Sequence, residues 1–454
     1  MASLSLAACA VTVVAGNPDD PATGRPAADT NAPPSSALQK PGDDARQSWN
    51  WHVQNTDIVD WHPSFPAKYS GPNSLSDRSE LQNTVSLDLL AGARLWPGAE
   101  FHVDGLMWQG FGFTRTLGIE GFPNGEAFRF GTKVPNVDFT RAFIRQTIGL
   151  GGEQEDVADD ALHLAGKVDV SRITLTAGKL SVKDVFDGNT YANDPRTQFM
   201  NWGLVANEAW DYPADSIGFT TGFTVELNEP QWTARYGFFQ VPRVSNGLAE
   251  DPEYLRAWGM VAEFERRFSM AGHPGVIRVL AFLNEAHMGS YEEVVDNPDL
   301  HGDLSSTRDY RKKYGFGLNL EQELTKGLGA FARAGWSDGQ TEAWAFSDVD
   351  RALSTGLSLN GQFWHRPQDT IGVAGIANGI SRIHQEFLED GGTGILAGDG
   401  QLNYGWEEIA ETYYDFEIFK GVHGAVDYQF VSNPAFNRDR GPVSVFSARL
   451  HWEF

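Results

Sequence analysis

The sequence predicts an all-β fold, a transmembrane antiparallel up-and-down β-barrel of about 16 strands with short periplasmic turns and long extracellular loops. Three observations carry this. Apolar and polar residues alternate through most of the chain, the period of a strand with two different environments on its faces. Short and long connections alternate with strand parity. The chain ends on Phe454, with Trp452, Leu450, Ala448 and Phe446 behind it at every second position and Glu453, His451, Arg449, Ser447 and Val445 between.

Composition agrees. Forty-nine Gly, 29 Phe, 14 Trp and a single Cys in 454 residues describe a chain rich in turns and aromatics and without disulfide staples. No apolar run reaches about 18 residues, which excludes a helical membrane protein. The mean hydropathy of −0.35 is compatible with barrel strands, because alternating strands average to a mildly polar sequence. A formal charge of −25 argues against nucleic acid as a partner.

In chain order, residues 1–16 (MASLSLAACAVTVVAG) resemble the apolar part of a secretory signal, with Val13 and Ala15 as small residues before a cleavage point. Leu6-Ala7-Ala8-Cys9 also resembles a lipoprotein box that would lipidate Cys9. Residues 17–48, rich in Pro, Ala and Asp, lack the large apolar residues needed to offset ordering and are expected to form a disordered spacer. Residues 49–454 are expected to form the barrel. Its candidate strands span 51–59, 81–96, 99–108, 137–148, 167–180, 216–228, 231–241, 256–268, 275–287, 309–324, 327–337, 352–365, 369–380, 406–419, 422–432 and 443–454. In the segment from Ser216, Ile217, Phe219, Phe223, Val225 and Leu227 share one face; in that from Gln231, Trp232, Ala234, Tyr236 and Phe238 do. Tight turns such as Pro97-Gly98, Glu229-Pro230 and Lys420-Gly421 fall on every second connection, and 60–80, 109–136, 181–215, 286–308 and 381–405 are long and polar. Residues 149–167 break the rule, being long and acidic on the short side.

With the apolar rows toward lipid, the inward rows hold Asp88 and Arg94, then Glu100, His102 and Asp104, then Arg141 and Arg145, and further on Glu226, Arg235, Arg278 and Arg333. Two roles are open to them: inter-strand ion pairs that stiffen the wall, or charges that shape permeation directly. Loop 181–215 is expected to fold inward and narrow the pore. Its aromatics Phe186, Tyr191, Phe199, Trp202, Trp210 and Tyr212 lie among Asn, Asp and Arg, which suits sugar recognition or packing of the loop on the wall. Asp184, Asp187 and Asn189, with Asn193 and Asp194, are a weak calcium candidate without EF-hand spacing, and Asn/Asp clusters commonly make turns. There is no HExxH, G-x-S-x-G or P-loop, and no cofactor is called for.

Several stretches resemble the carbohydrate-selective porins of the OprB type: Tyr69 to Leu75 (YSGPNSL), Gly92 to Gly98 (GARLWPG), Arg141 to Gly152 (RAFIRQTIGLGG), Tyr191 to Phe199 with Asn201-Trp202, Asp211 to Asp215 (DYPAD), and Asn437 to Val443 running into the terminus. The resemblance covers about 49–454. It implies a cell outer membrane location and passive diffusion of monosaccharides such as glucose through a polar constriction, with sugars and outer-membrane lipid as partners. It also leaves a homotrimer or a monomer open. Carried over by position, it makes Arg94, Arg141 and Arg145 wall arginines and Asn193, Asp194, Arg196, Trp202 and Asp211 loop residues of the constriction. The leader 17–48 and the acidity after Gly152 depart from the family pattern and leave the periplasmic side open to a partner or a plug. Two alternatives stand beside this: a barrel enzyme acting on lipid or polysaccharide at the outer rim, which needs a converging Ser, His and carboxylate, and a polysaccharide export channel, against which the mixed lumen charges count.

Overall fold

The computed structural model describes residues 46–129 and 131–454. Residues 1–16 and all but the end of 17–48 therefore lie outside the described residues. The end of that spacer is tied down: Gln47 N donates to Ala165 O at 3.1 Å and Arg94 N to Ser48 O at 2.8 Å.

Eighteen strands are described: β1 (Trp49–His62), β2 (Glu80–Trp96), β3 (Ala99–Gly110), β4 (Thr132–Gly149), β5 (Gln154–Val157), β6 (Gly166–Asp169), β7 (Arg172–Leu180), β8 (Thr220–Glu229), β9 (Trp232–Phe239), β10 (Trp258–Met270), β11 (His273–Met288), β12 (Asp309–Thr325), β13 (Leu328–Ser337), β14 (Arg351–Asn360), β15 (Thr370–Gly379), β16 (Glu407–Phe419), β17 (Val422–Ser432) and β18 (Val443–Glu453). All but β5 and β6 form one closed antiparallel barrel in sequence order, sealed by β1 pairing with both β2 and β18. Ile58, for example, lies between Thr84 and Arg449. Among the described residues no helix is long and apolar enough to cross a membrane. The wall itself crosses, since only closure leaves no backbone group unpaired in hydrocarbon.

The alternation sorts as predicted. On β18, Phe446 and Leu450 are exposed outward, as is Phe454 just beyond it, while Val445, Arg449 and His451 are buried inward. Phe446 packs in an outer aromatic row with Trp61 at 5.4 Å and Tyr428 at 5.1 Å, as expected of a lipid-facing band. Tight turns link the periplasmic ends. At the β2–β3 turn Gly98 takes φ +79°, and a Cβ there would meet Thr147 O at 2.2 Å, so only glycine fits.

Three expectations need correction. Ile217 and Phe219 do not face lipid: Asp215 Oδ1 accepts both their N–H groups at 3.0 Å, Gly218 takes φ +100°, and this turn folds them inward onto Leu106 and Trp108 before β8 begins. The segment 167–180 divides into β6 and β7, because β6 pairs with β5 in a separate two-stranded sheet. The strand expected over 352–365 stops at Asn360, whose side chain caps a short 3-10 turn, Gly361–Trp364.

Candidate functional site: an eyelet in the lumen

Beyond β7 the chain turns inward at Ser181, while β4 continues past it. Loop 181–219 then spans the lumen, fixed at two stretches of wall by buried charge. At β12 and β13 Asp187 accepts from Arg333 Nε at 3.1 Å and Asn319 Nδ2 at 2.7 Å; it also accepts from Asn207 N at 2.8 Å and pairs with Lys183 Nζ at 3.3 Å. Burial alone would raise the Asp187 pKa, but Arg333 and Lys183 outweigh it and hold it down at about 2. Burial pushes Lys183 the other way, down to about 8. At β16 and β18 Met200 N and Asn201 N donate to Glu411 at 2.6 and 3.0 Å, and Arg449 donates to the carbonyls of Pro195 and Gln198 at 2.7 and 2.8 Å. Buried backbone groups of an inward loop need such partners.

Two further loops complete the outer side. In 111–131, Asn124 Nδ2 donates to Asp60 at 2.7 Å and Glu126 accepts from Ser86 Oγ at 2.6 Å. In 338–350, the N–H groups of Trp344 and Ala345 donate to the Asp211 carboxylate, and Asp348 N donates to Glu120 at 2.6 Å. From the periplasmic side the connection 150–171, which carries β5 and β6, turns its tip into the mouth. Asn50 Nδ2 holds that tip through Asp159 at 2.8 Å and the carbonyls of Asp160 and His163 at 3.0 Å. Arg145 donates to Leu162 O at 2.6 Å.

Between these segments lies a cavity of about 250 Å³, lined both by outer-loop residues and by the hairpin tip. Its aromatic lining is a contiguous cluster: Trp202 stacks on Phe122 (5.4 Å, 8°), lies 5.2 Å from Phe346, and Phe346 stacks on Tyr212 at 5.0 Å. Its charged lining is mostly mated. Arg141 grips Asp184 with two bonds of 2.8 Å and Asp104 at 2.7 Å; Arg196 bridges Asp88 at 2.7 Å and Glu126 at 2.9 Å. The lining thus combines amphipathic rings with fixed hydrogen-bond donors and acceptors.

Of the residues expected at the constriction, Arg141, Asn193, Asp194, Arg196 and Trp202 line this cavity. Asp88 and Asp104 stand behind it as partners of Arg196 and Arg141. Arg94, paired with Glu100 at 3.1 Å, and Arg145 belong to the periplasmic side beside Gln47 and the hairpin tip. Asp211 is buried and pairs with Lys313 at 3.3 Å, anchoring loop 338–350. The inward charges Glu226, Arg235 and Arg278 are in wall ion pairs, and Arg333 pairs with Asp187 of the inward loop. The aromatic set divides: Trp202 and Tyr212 line the cavity, whereas Phe186 packs on Phe239 and Phe199 on Phe331 and Tyr413. In the calcium candidate, the carboxylates of Asp184 and Asp187 are already paired with Arg141, Arg333 and Lys183, and Asn189 Oδ1 accepts from Tyr191 N at 2.9 Å. Among the described residues no group of His, Cys, Asp and Glu could hold a metal ion.

The cavity also uses Lys183, Phe122, Glu126, Arg129 and Phe346, which sequence reasoning did not single out. Phe346 carries a sign of strain, φ +60°, of the kind found at functional sites. A Ser, His and Asp do meet in the outer loops, but not as a hydrolase triad. His384 Nδ1 is 3.0 Å from Asp350, yet its Nε2 is buried without a partner and its ring stacks on Tyr291 at 4.2 Å. Ser381 Oγ caps the helix Arg382–Glu389 and donates to Gly339 O at 2.6 Å.

A family description, carbohydrate-selective porin of the OprB family, matches residues 72–454. The fold is similar to the high-pH structure of Pseudomonas putida OprB, with TM-score 0.67 and 17% identity over 90% of this chain and 94% of that one. The low-pH structure of the same protein matches with TM-score 0.49 and 14% identity over 90% and 93%. The outer membrane channel DcaP of Acinetobacter baumannii matches with TM-score 0.45 and 9% identity over 89% and 97%. No curated protein matches.

Proposed function

Because the chain belongs to the carbohydrate-selective porins of the OprB family, we propose that its solutes are monosaccharide-sized sugars such as glucose, selected in the eyelet formed by Arg141, Arg196, Asn193, Asp194 and Trp202. The protein is an outer-membrane channel that lets sugars through by passive diffusion. The observation that carries the finer reading is one cavity bearing both the Phe122, Trp202, Phe346 and Tyr212 rings and the mated arginines Arg141 and Arg196. The rings offer apolar faces to the C–H side of a sugar. The fixed side chains offer hydrogen bonds to its hydroxyls without requiring a new charge to be desolvated. Binding of this kind is weak, as conduction requires.

Planar-bilayer recordings test this. Glucose added to one side is expected to reduce the single-channel ion current in a concentration-dependent way, and Trp202→Ala to weaken that block. Block that is equal in both proteins would remove Trp202 from the sugar site.

A further inference from the structure

Four strongly basic side chains line the cavity, and they are not alike. Arg141, Arg196 and Lys183 each have a carboxylate within 3.3 Å. Arg129, half-buried in the same lining, makes no hydrogen bond or ion pair among the described residues. In a chain with 60 acidic and 35 basic residues, a lumen arginine without a carboxylate is against the odds.

The nearby charges do not neutralise it. Asp348 is the acidic group that acts on Arg129, but its carboxylate is buried and accepts the N–H groups of Ile395, Leu396 and Ala397 at 3.0, 2.7 and 3.1 Å. The other charge acting on Arg129 is Arg115, of the same sign; burial first and then Arg115 lower the Arg129 pKa.

The two arginines are brought together by a strained turn. Thr114, Arg115 and Thr116 all take positive φ, 46°, 60° and 58°, a conformation costly for non-glycine and worst for β-branched residues. Glu80 holds one end by accepting from Thr114 N at 2.9 Å and Oγ1 at 3.1 Å. Thr116 Oγ1 donates to Ala127 O at 3.2 Å, which ties the turn to the strand of chain that carries Arg129. A partly desolvated guanidinium beside a like charge is unfavourable unless an anion joins it.

We propose that Arg129, approached past Arg115, receives an anionic group on the permeating sugar, so that the channel takes sugars bearing a carboxylate or a phosphate as well as neutral ones. The planar guanidinium matches either group with two parallel bonds, and the ring then meets the aromatic lining of the same cavity. This rests on the sugar-porin reading above.

The test measures uptake of glucose, glucuronate and glucose 6-phosphate into proteoliposomes containing the wild type, Arg129→Gln or Arg129→Lys. Arg129→Gln is expected to lower uptake of at least one anionic sugar by about tenfold, the equivalent of losing one charge-assisted contact, and to lower glucose uptake by a clearly smaller factor. Arg129→Lys, which keeps the charge, is expected to recover most of it. Loss confined to glucuronate or to glucose 6-phosphate identifies which anion the site takes. Anionic uptake unchanged in Arg129→Gln, or a fall shared equally by all three sugars, overturns the proposal. Wild type that passes no glucose overturns the sugar-porin reading instead.

Discussion

The polypeptide enters its own lumen from both ends of the barrel, and the two intrusions are anchored at different depths: the Asp187–Arg333 pair is fully buried, whereas the Asp159 side chain is 42% exposed. Loop 181–219, from the outer side, is tied by buried charge at two stretches of wall: Asp187 to Arg333 of β13 with Lys183 beside it, and backbone amides to Glu411 of β16 and carbonyls to Arg449 of β18. The hairpin 150–171, from the periplasmic side, leaves much of its surface exposed and is held by Asn50, which donates to the half-exposed Asp159 carboxylate and to two carbonyls, by Arg145 on Leu162 O, by Gln47 on Ala165 O and by the Arg172–Glu155 pair at its base. Buried charges left without partners are expensive, whereas solvent can replace a bond to a half-exposed group near a mouth. The outer loop is therefore expected to set the pore's width and the hairpin to be displaced at smaller cost.

The largest expected effect comes from breaking the deep anchor. Asp187→Ala leaves Arg333 buried and uncompensated, a loss of about 3–5 kcal/mol. It should lower the thermal unfolding temperature of the protein in detergent and raise single-channel conductance as the loop leaves the lumen. Unchanged conductance would mean the loop is held by packing alone. Arg196→Ala removes the cation between Asp88 and Glu126 at the eyelet itself, at a cost of roughly 1–3 kcal/mol. The reversal potential under a salt gradient should move toward cation selectivity.

Proton titration gives a smaller effect at the same anchor. Lys183, with its pKa lowered to about 8, carries its charge at pH 7 and loses most of it by pH 9, while Asp187, held at about 2, stays ionised throughout. Raising the pH across this window removes one positive charge from the lining, so anion permeability should fall relative to cation permeability; Lys183→Met should abolish that step. The smallest effect belongs to the hairpin. Asn50→Ala should speed amide hydrogen exchange over 154–169 by the equivalent of about 1 kcal/mol, with the unfolding temperature of the barrel unmoved. A fall in that temperature would place the hairpin among the structural anchors and remove the contrast.

The wall was legible because its rule is local: a period of two, with apolar residues outward, reads directly from positions such as Phe446, Leu450 and Phe454. The rule failed at Ile217 and Phe219, where one carboxylate, Asp215, turns the chain inward before the strand starts. The eyelet was half legible. Trp202, Arg196, Asn193 and Asp194 stand in a stretch whose composition suggests recognition, and Arg141 follows from strand parity. Arg129, Phe122 and Phe346 come from other loops that meet the first only after folding, and no periodicity marks them. Asp211 shows the converse: the residue type suits a pore, but Lys313, distant in sequence, claims it.

Swelling rates of proteoliposomes across a series from monosaccharide to trisaccharide put the inward-folded loop on trial. With 181–219 across the lumen, entry should fall steeply between glucose and a trisaccharide, and the steepness should be lost in Asp187→Ala. Rates that scale only with free diffusion in the intact protein, or an equally steep fall in the variant, would contradict a pore whose width this loop sets.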